Sequence, residues 1–264
     1  MVLDKKVAEQ TINYLTQINA IKLNTKNPFT WTSGIKSPIY CDNRLLLSYP
    51  EIRKFIAEKM SEIIKNKYGE NISITGVATG AIAIGALIAE RLNLPYSYVR
   101  PEPKNHGLKN QIEGFIDKGS EVIVIEDLIS TGKSSLNAIN ALRDESFNVS
   151  GMLSIFSYNF DFANQRFQNE NIPINSLADF NTLVEMILSK GSISEDELKQ
   201  QLKEYLAKRK EANADEAAKK VKGKVVGGTR GNAVLEFVSG APVKEQVIER
   251  SPDIFDYDEL SRYG

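Results

Sequence analysis

Apolar residues spaced by three and four positions predict two amphipathic helices near the start of the chain. The first extends from Asp4 to about Ile21. The second ends near Gly69, with Ser48 as its candidate N-cap and Pro50 in its first turn. Between them, residues 27–47 mix proline, glycine and serine with aromatic and β-branched residues, which predicts short strands and turns rather than a helix.

From residue 72 onwards, short apolar segments alternate with amphipathic ones. This pattern predicts strands at 72–79, 96–99, 122–126 and 151–158, and helices at 81–92 and 134–144. The alternation indicates an α/β fold, in which a central, mostly parallel sheet is flanked by helices. Ligands bind beyond the carboxyl ends of such strands, so the candidate functional segments are the loops after Thr79, Val99 and Glu126. The first loop, 76–83, is built of small residues that permit close approach of a ligand or of a neighbouring strand.

The segment after the 122–126 strand carries the most informative chemistry. Glu126 and Asp127 end the strand, and a turn of small residues, Ser130-Thr131-Gly132, leads into a helix. Backbone N–H groups at a helix N-terminus suit a phosphate, whereas carboxylates suit hydroxyls or a metal ion carried by the same ligand. A nucleotide P-loop would need its first glycine where Asp127 stands. The other interpretation is a plain capped turn with solvated acids.

A second candidate loop, residues 100–120, is rich in cations and lacks helical or strand periodicity. It contains Arg100, Lys104, His106 and Lys109. Loops of more than about 12–15 residues without structure of their own usually serve as lids, binding loops or linkers. We expect this one to close over a polyanion, and the alternative is a solvated surface loop.

Composition limits the classes of partner. The chain has 264 residues, with 33 basic and 34 acidic side chains, so it lacks the positive charge needed to bind nucleic acid or an anionic membrane. Its longest nearly apolar run, Ala81–Ala89, is about half of the roughly 20 residues that a membrane span requires. The single cysteine, Cys41, excludes an internal disulfide, and the amino terminus has no apolar signal core. We expect a cytoplasmic protein with no nucleic-acid or membrane partner.

Three segments carry a resemblance to a known family. The strand followed by Glu126-Asp127 and Ser130-Thr131-Gly132 resembles the phosphoribosyl diphosphate signature of type I phosphoribosyltransferases. Residues 29–50 (FTWTSGIKSPIYCDNRLLLSYP) and 99–114 (VRPEPKNHGLKNQIEG) are similar to bacterial orotate phosphoribosyltransferases. The resemblance extends from the first helix to about Leu206. It implies the type I phosphoribosyltransferase fold, with a small N-terminal hood that includes residues 28–40.

The resemblance also implies how phosphoribosyl diphosphate is bound. Glu126 and Asp127 would hold the ribose 2′- and 3′-hydroxyls. The 5-phosphate would contact the amides and hydroxyls of Leu128, Ile129, Ser130, Thr131, Gly132, Lys133 and Ser134. The diphosphate would bind Arg100, Lys104 and His106. The candidate catalytic residues are Lys104, His106 and Asp127.

Orotate, magnesium and a second subunit complete the implied site. Orotate would contact Ser130, Lys36 and Tyr40. Mg²⁺ would be held mainly by the diphosphate, with no direct protein ligand assigned. Family members extend the lid loop into the neighbouring subunit's site, so activity implies a homodimer.

The chain departs from some family members at three positions. Pro101 follows Arg100 where some members have a second basic residue. Thr32 stands where some have a lysine, and this chain lacks an arginine near Tyr158, where some members use one for the orotate carboxylate. The departures concern orotate recognition and leave the phosphoribosyl site unchanged.

Two other functions are compatible with parts of this pattern. A purine phosphoribosyltransferase would keep the reaction and change the base, but the hood segment argues against it. A regulator that senses phosphoribosyl diphosphate without catalysis, often by binding RNA or DNA, is disfavoured by the near-zero net charge and by the cationic loop.

The C-terminal part differs from the rest. Residues 1–206 form the predicted transferase domain, and residues 207–264 form a charged helix and an extension that the function does not explain. Ser194 followed by Glu197 is a capping-box pattern, which predicts a helix to about Lys222. Beyond it, a strand is predicted at Ala233–Val238.

Overall fold

A mostly parallel sheet and six helices account for most of the part of the chain that the structure describes. The computed structural model describes residues 2–23, 29–30, 36–37, 39–103, 111–189, 223–226 and 234–237. Its helices are α1 (Lys5–Gln17), α2 (Pro50–Tyr68), α3 (Ile82–Leu92), α4 (Lys133–Asp144), α5 (Asp161–Asn169) and α6 (Phe180–Ser189). A 3₁₀ helix spans Asn43–Ser48.

The strands are short in the N-terminal part and longer in the centre. They are β1 (Ile21–Leu23), β2 (Phe29–Thr30), β3 (Lys36–Ser37), β4 (Ile39–Cys41), β5 (Ser73–Val77), β6 (Tyr96–Val99), β7 (Ile112–Glu113), β8 (Glu121–Ile129), β9 (Asn148–Ser157), β10 (Ile174–Asp179), β11 (Gly223–Val226) and β12 (Val234–Phe237). The central sheet has the order β10-β9-β8-β5-β6-β7. Its neighbours are parallel except β6 and β7, so the predicted α/β class and mostly parallel sheet are confirmed.

The central strand β8 is an apolar run because helices cover the sheet. Val122, Ile123, Val124 and Ile125 have no exposed surface. On one face Val122 and Val124 join a core cluster to which α4 contributes Ala138, Ile139 and Leu142. Parallel strands buried in this way lose the alternation of apolar and polar residues. The burial fixes β8 in the middle of the sheet and thereby fixes the position of the residues that follow Ile125.

The chain divides into two compact units. One comprises Met1–Lys22 and Tyr40–Ser192, and it contains the central sheet. The other comprises Leu23–Ile39 and Ile193–Gly264. In the second unit, β2 pairs with β3 and β11 pairs with β12, both antiparallel. The predicted domain boundary near residue 206 stays a prediction.

The start of α2 differs from the sequence prediction. Its N-cap is Tyr49, which makes no capping hydrogen bond, so the prediction of Ser48 as N-cap is wrong. Ser48 instead ends the 3₁₀ helix, whose own N-cap Asp42 accepts a hydrogen bond from Arg44 N. Only Tyr49 separates the 3₁₀ helix from α2. Residues 27–47 therefore end in a 3₁₀ helix that their composition did not predict.

Strand β8 is longer than predicted. It extends to Ile129 because Leu128 and Ile129 still pair with β9. Glu126 and Asp127 therefore lie within the strand and not at its end. In the loop predicted at 100–120, β7 adds a short antiparallel strand beside β6. Five further elements, β1, α5, β10, α6 and β11, were not predicted at all.

The remaining predictions concern the membrane and the C-terminal part. No helix in the described ranges is long and apolar enough to cross a membrane. The strand predicted at Ala233–Val238 is confirmed as β12. The capping box at Ser194 and the helix predicted to Lys222 lie outside the described residues.

Candidate active site

The carboxyl ends of five parallel strands meet at one edge of the central sheet. β5, β6, β8, β9 and β10 all run in the same direction. The segments that follow Val77, Val99 and Ile129 therefore lie at a common edge, as the sequence predicts for the candidate functional loops. This arrangement places Arg100 and the Glu126-Asp127 pair on the same side of the molecule.

Glu126 is a buried carboxyl group with protein partners on both oxygens. Only 4% of the residue is exposed. Its Oε2 accepts a hydrogen bond from Ser135 Oγ at 2.9 Å, and Oε1 accepts one from Asp127 N at 3.2 Å. Burial raises the pKa of Glu126 well above its ordinary value, and the charge of Asp127 raises it further. The fold therefore favours the protonated form of this side chain.

Asp127 is more accessible and is held from two sides. Its backbone carbonyl accepts a hydrogen bond from Asn43 Nδ2 at 2.7 Å, and Asn43 is only 1% exposed. The Asn43 Oδ1 in turn accepts a hydrogen bond from the thiol of Cys41 at 3.2 Å. On the other side, Gly80 lies so close that any Cβ at that position would overlap the Asp127 carboxylate. The small residue at position 80 thus leaves room for the carboxylate itself.

The proton affinity of Asp127 reflects opposing influences. Burial raises its pKa, while the Glu126 side chain and the positive charge of Arg44 act in the opposite direction. The Arg44 guanidinium is fixed by two hydrogen bonds to Asp42, from Nε at 2.7 Å and from the second terminal nitrogen at 2.9 Å. The charge of Arg44 thus lowers the pKa of Asp127, while the charge of its ion-pair partner Asp42 raises it.

The turn after β8 ends in a helix N-terminus that is capped by a glycine. Gly132 is the N-cap of α4 and has φ of 74°, in the left-handed region. Because glycine has no side chain, it makes no side-chain capping hydrogen bond. Thr131 N donates to Ser130 Oγ at 2.6 Å. Lys133 N donates to Thr131 Oγ1 at 3.4 Å. The first turn of α4 thus presents backbone N–H groups and hydroxyls together with the positive end of the helix dipole.

The other residues of this segment divide by exposure. Ile129 is buried, and Leu128 is partly buried. Lys133 and Ser134 are exposed at the start of α4. The alternating environments follow from the strand continuing to Ile129 before the chain turns.

Arg100 stands at the base of the cationic loop. Its N donates to Gln111 O at 2.9 Å, and its carbonyl accepts a hydrogen bond from Gln111 Nε2 at 2.9 Å. The Arg100 guanidinium lies 3.5 Å from Glu113 Oε1. These contacts continue the β6–β7 pairing into a stem, defined here as Tyr98–Arg100 with Gln111–Glu113. Lys104 and His106 belong to the loop that this stem closes, and both lie outside the described residues.

The residues predicted for orotate belong to different parts of the described chain. Tyr40 lies in β4 and is partly buried, and burial raises its pKa. The Lys36 backbone pairs with Thr30 in the second unit. Tyr158 is 3% exposed and stacks on Phe160 with 5.5 Å between ring centroids. Thr32 lies outside the described residues.

Several residues of the site have no signal in the sequence. Asn43 and Ser135 act on the acidic pair from 84 and 9 residues away. Arg166 donates to Thr131 O from a helix 35 residues further along the chain. Periodicity and spacing reveal local structure, so contacts of this kind become visible only in the folded chain. Gly80 did stand out as part of a small-residue loop, although its contact with Asp127 did not.

Known proteins resemble this chain over most of its length. Residues 45–152 match the phosphoribosyl transferase domain family. The orotate phosphoribosyltransferase of Phocaeicola vulgatus is 48% identical over 196 residues, which are 74% of this chain and 91% of that protein. That of Bacteroides thetaiotaomicron is 47% identical over 184 residues, covering 70% and 87%. The crystal structure of orotate phosphoribosyltransferase from Aeropyrum pernix has a TM-score of 0.60 and 29% identity, covering 67% of this chain and 97% of that one.

The central sheet, the antiparallel edge strand and the matched domain define the class of this protein as a type I phosphoribosyltransferase. The sequence identity narrows the assignment. Because it extends over about nine-tenths of proteins of one kind, the chain belongs to the orotate phosphoribosyltransferase family. The resemblance carried by the Glu126-Asp127 segment is thereby confirmed.

Proposed function

We propose that the chain transfers the 5-phosphoribosyl group of phosphoribosyl diphosphate to orotate, forming orotidine 5′-monophosphate and diphosphate in pyrimidine (UMP) biosynthesis. The observation that carries the proposal is Glu126-Asp127 on β8, followed by the 130–132 turn and α4, in a chain of this family. In the reaction, the bond from ribose C1 to diphosphate breaks and a bond from C1 to an orotate nitrogen forms. Positive charge builds on the sugar and negative charge on the diphosphate.

The acidic pair is suited to the ribose. Carboxyl oxygens accept hydrogen bonds from the 2′- and 3′-hydroxyls, and a negative charge on Asp127 beside the ribose favours a transition state with positive charge on the ring. Asp127 is the more accessible of the two acids and lies against Gly80 at the sheet edge. Each oxygen of Glu126 already accepts one hydrogen bond, and each has a second lone pair. We assign both residues to the hydroxyls and Asp127 also to catalysis.

The 5-phosphate is assigned to the segment from Leu128 to Ser134. A helix N-terminus whose N-cap is a glycine attracts an anion through the N–H groups of its first turn and the helix dipole. The hydroxyls of this segment add hydrogen-bond donors. We also assign Ser130 to orotate, as the family resemblance implies.

The diphosphate is assigned to Arg100, Lys104 and His106, and the last two are proposed as catalytic residues. Cations at the leaving group stabilise the charge that develops there. Closing a loop over the site would exclude water, which otherwise hydrolyses the activated sugar. We propose that this loop is shared between the two subunits of a homodimer. Orotate itself would contact Lys36 and Tyr40.

Mg²⁺ is proposed as the cofactor, bound mainly through the diphosphate. Among the described residues no group of three or more His, Cys, Asp or Glu side chains forms a metal site. The partly exposed Asp127 carboxylate offers oxygen ligands of the kind that Mg²⁺ prefers, alongside substrate oxygens. The ion would supply positive charge that neutralises part of the diphosphate.

The direct test is the loss of orotate absorbance in the presence of phosphoribosyl diphosphate and Mg²⁺. The proposal expects turnover with orotate and none with adenine, guanine or hypoxanthine. Turnover with a purine alone would identify a purine phosphoribosyltransferase. Binding of phosphoribosyl diphosphate without turnover of any base would identify a sensor.

The substitution Asp127→Asn tests the ribose assignment. It keeps the shape of the side chain and removes the charge, so we expect affinity for phosphoribosyl diphosphate to fall by about tenfold or more, from the loss of charge-assisted hydrogen bonds. Isothermal titration measures this affinity, with Asp117→Asn, an exposed acid elsewhere in the chain, as the control. Equal affinity in Asp127→Asn and in the unsubstituted protein would refute the assignment.

A further inference from the structure

Helix α5 contacts the turn that is assigned to the 5-phosphate. A guanidinium nitrogen of Arg166 donates to the Thr131 carbonyl at 3.1 Å. The same guanidinium lies over the Phe162 ring, 5.5 Å from its centroid, one helical turn away. Stacking on an aromatic ring restricts a side chain that is otherwise flexible. Arg166 is therefore held in place on α5 while it bonds the turn.

A second residue of α5 packs against the same peptide. A Cβ built on Gly132 would lie 2.8 Å from a ring carbon of Phe167, which is fully buried. Gly132 thus rests directly on the Phe167 ring. The Thr131–Gly132 peptide is consequently held by a hydrogen bond at its carbonyl and by an aromatic ring at the next Cα.

The direction of the Thr131 carbonyl determines the direction of the Gly132 N–H. In a planar trans peptide the C=O and N–H bonds point in opposite directions. The bond from Arg166 turns the Thr131 carbonyl towards α5. The Gly132 N–H therefore points away from α5, at the N-cap of α4, where an anion would bind.

We propose that Arg166 is a positioning residue for the 5-phosphate: it fixes the Thr131–Gly132 peptide so that the Gly132 N–H is oriented towards the phosphate before the substrate binds. This inference rests on the proposed assignment of the 130–134 segment to the 5-phosphate. Pre-orientation lowers the cost of ordering the turn upon binding. The guanidinium charge adds positive potential behind the turn without touching the substrate.

The test compares substitutions that separate the hydrogen bond from the charge. Arg166→Met removes both, Arg166→Gln keeps N–H donors without charge, and Arg166→Lys keeps the charge and one donor group. We expect Arg166→Met to raise KM for phosphoribosyl diphosphate about tenfold, as for loss of a charge-assisted hydrogen bond, with kcat within about twofold. Arg166→Lys should restore most of the affinity. KM for orotate should not change.

The matched control is Arg143→Gln. Arg143, in the last turn of α4, also donates to a backbone carbonyl, that of Glu170, the C-cap of α5, at 2.8 Å. Arg143→Gln therefore weakens a similar stabilising contact at the opposite end of α4 from the turn. We expect a change in the unfolding midpoint of Arg143→Gln and no change in KM.

A binding measurement keeps this inference separate from the choice of base. Calorimetric titration with ribose 5-phosphate requires neither orotate nor turnover. A weaker affinity for ribose 5-phosphate in Arg166→Met or Arg166→Gln, with Arg143→Gln unaffected, supports the proposal even if orotate is not the base. Unchanged affinity in folded Arg166→Met or folded Arg166→Gln overturns it, as does an equal loss in Arg143→Gln. If Arg166→Met does not fold, Arg166→Gln gives the same decision.

Discussion

Glu126 combines a functional assignment with a cost to stability. The side chain is buried beside a second acid, and its pKa is raised chiefly by that burial. Below the ordinary glutamate pKa of about 4.3, folded and unfolded chains both carry the proton. Between that value and the raised native pKa, only the folded chain does. Unfolding then releases a proton, so the stability contributed by Glu126 falls as the pH rises through its native pKa.

We predict that Glu126→Gln raises the free energy of unfolding at pH 8 by about 1–3 kcal/mol, because no charge is buried. The amide can donate to Ser135 Oγ and still accept from Asp127 N, so both contacts are retained. Urea unfolding at pH 5 and pH 8 measures the effect, and the variant should lose less stability between them than the unsubstituted protein. The control is Glu121→Gln, an exposed acid on the same strand. The same pH dependence in all three proteins would contradict the prediction.

Lys104 should matter for rate rather than for stability. It lies in the polar loop between Arg100 and Gln111 and is assigned to the leaving diphosphate. We expect Lys104→Ala to lower kcat by about a hundredfold or more, the usual loss when one charge-stabilising donor is removed. The free energy of unfolding should change by less than about 0.5 kcal/mol.

Turnover and urea unfolding are measured on the same preparations, with Lys118→Ala as the control. Lys118 is exposed and lies near the far end of the 100–120 segment, with its Nζ 3.9 Å from Glu145 Oε2. A rate for Lys104→Ala equal to that of the control would mean that the loop is a surface connection only.

The junction between β8 and α4 depends on a residue without a side chain. Gly132 adopts φ of 74°, and the Phe167 ring occupies the space where a Cβ would be. Gly132→Ala would therefore meet both a backbone penalty of about 1–2 kcal/mol and a steric one of about 1–3 kcal/mol. We predict a loss of roughly 2–5 kcal/mol in the free energy of unfolding.

Gly119 provides a control for the backbone part of this loss. It has φ of 83°, with no atom within 4 Å of a built Cβ, so Gly119→Ala carries the backbone penalty alone. Denaturant unfolding of both variants separates the two contributions. If Gly132→Ala costs no more than Gly119→Ala, the contact with Phe167 does not constrain the turn.

The elements that could be predicted are those whose signals are local. The strand, turn and helix around Glu126 lie within one short segment, and their apolar run and small residues indicate each part. The start of α2 was misplaced because Ser48 has the residue type of an N-cap but is occupied in the preceding 3₁₀ helix. Helix α5 gave no clear signal, since its nine residues bury only Ala163 and Phe167. The contact of Arg166 with the turn could therefore not be predicted from the sequence.

The chain is longer than the part of it that matches its relatives. The match to the Phocaeicola vulgatus protein uses 196 of 264 residues and covers 91% of that protein, which leaves 264 − 196 = 68 residues outside it. We predict that a fragment of residues 1–206 retains kcat and KM for both substrates within about twofold, because transfer is assigned to residues before 206. Steady-state kinetics of the fragment and the full chain test this. A folded fragment without turnover would show that the extension contributes to the site.

Net charge conceals how the charges are distributed. The chain is almost neutral, with 33 basic and 34 acidic side chains. Glu126 and Asp127 nevertheless lie together on β8. The 100–109 segment contains Arg100, Lys104, Lys109 and the single histidine of the chain, His106. A substrate with hydroxyls at one end and a diphosphate at the other matches this separation of charge.

The stem formed by Tyr98–Arg100 and Gln111–Glu113 sets a tether length for the loop that it closes. Covalent geometry allows at most about 3.6 Å per residue, so the Cα of Lys104 stays within about 14 Å of that of Arg100. By the same measure, His106 stays within about 18 Å of Gln111. Tyr98 and Val99 of the stem belong to β6 and pair with β7, so these distances are measured from a fixed point on the sheet edge. Any diphosphate bound by both side chains must lie inside the overlap of these two spheres, extended by the lengths of the side chains.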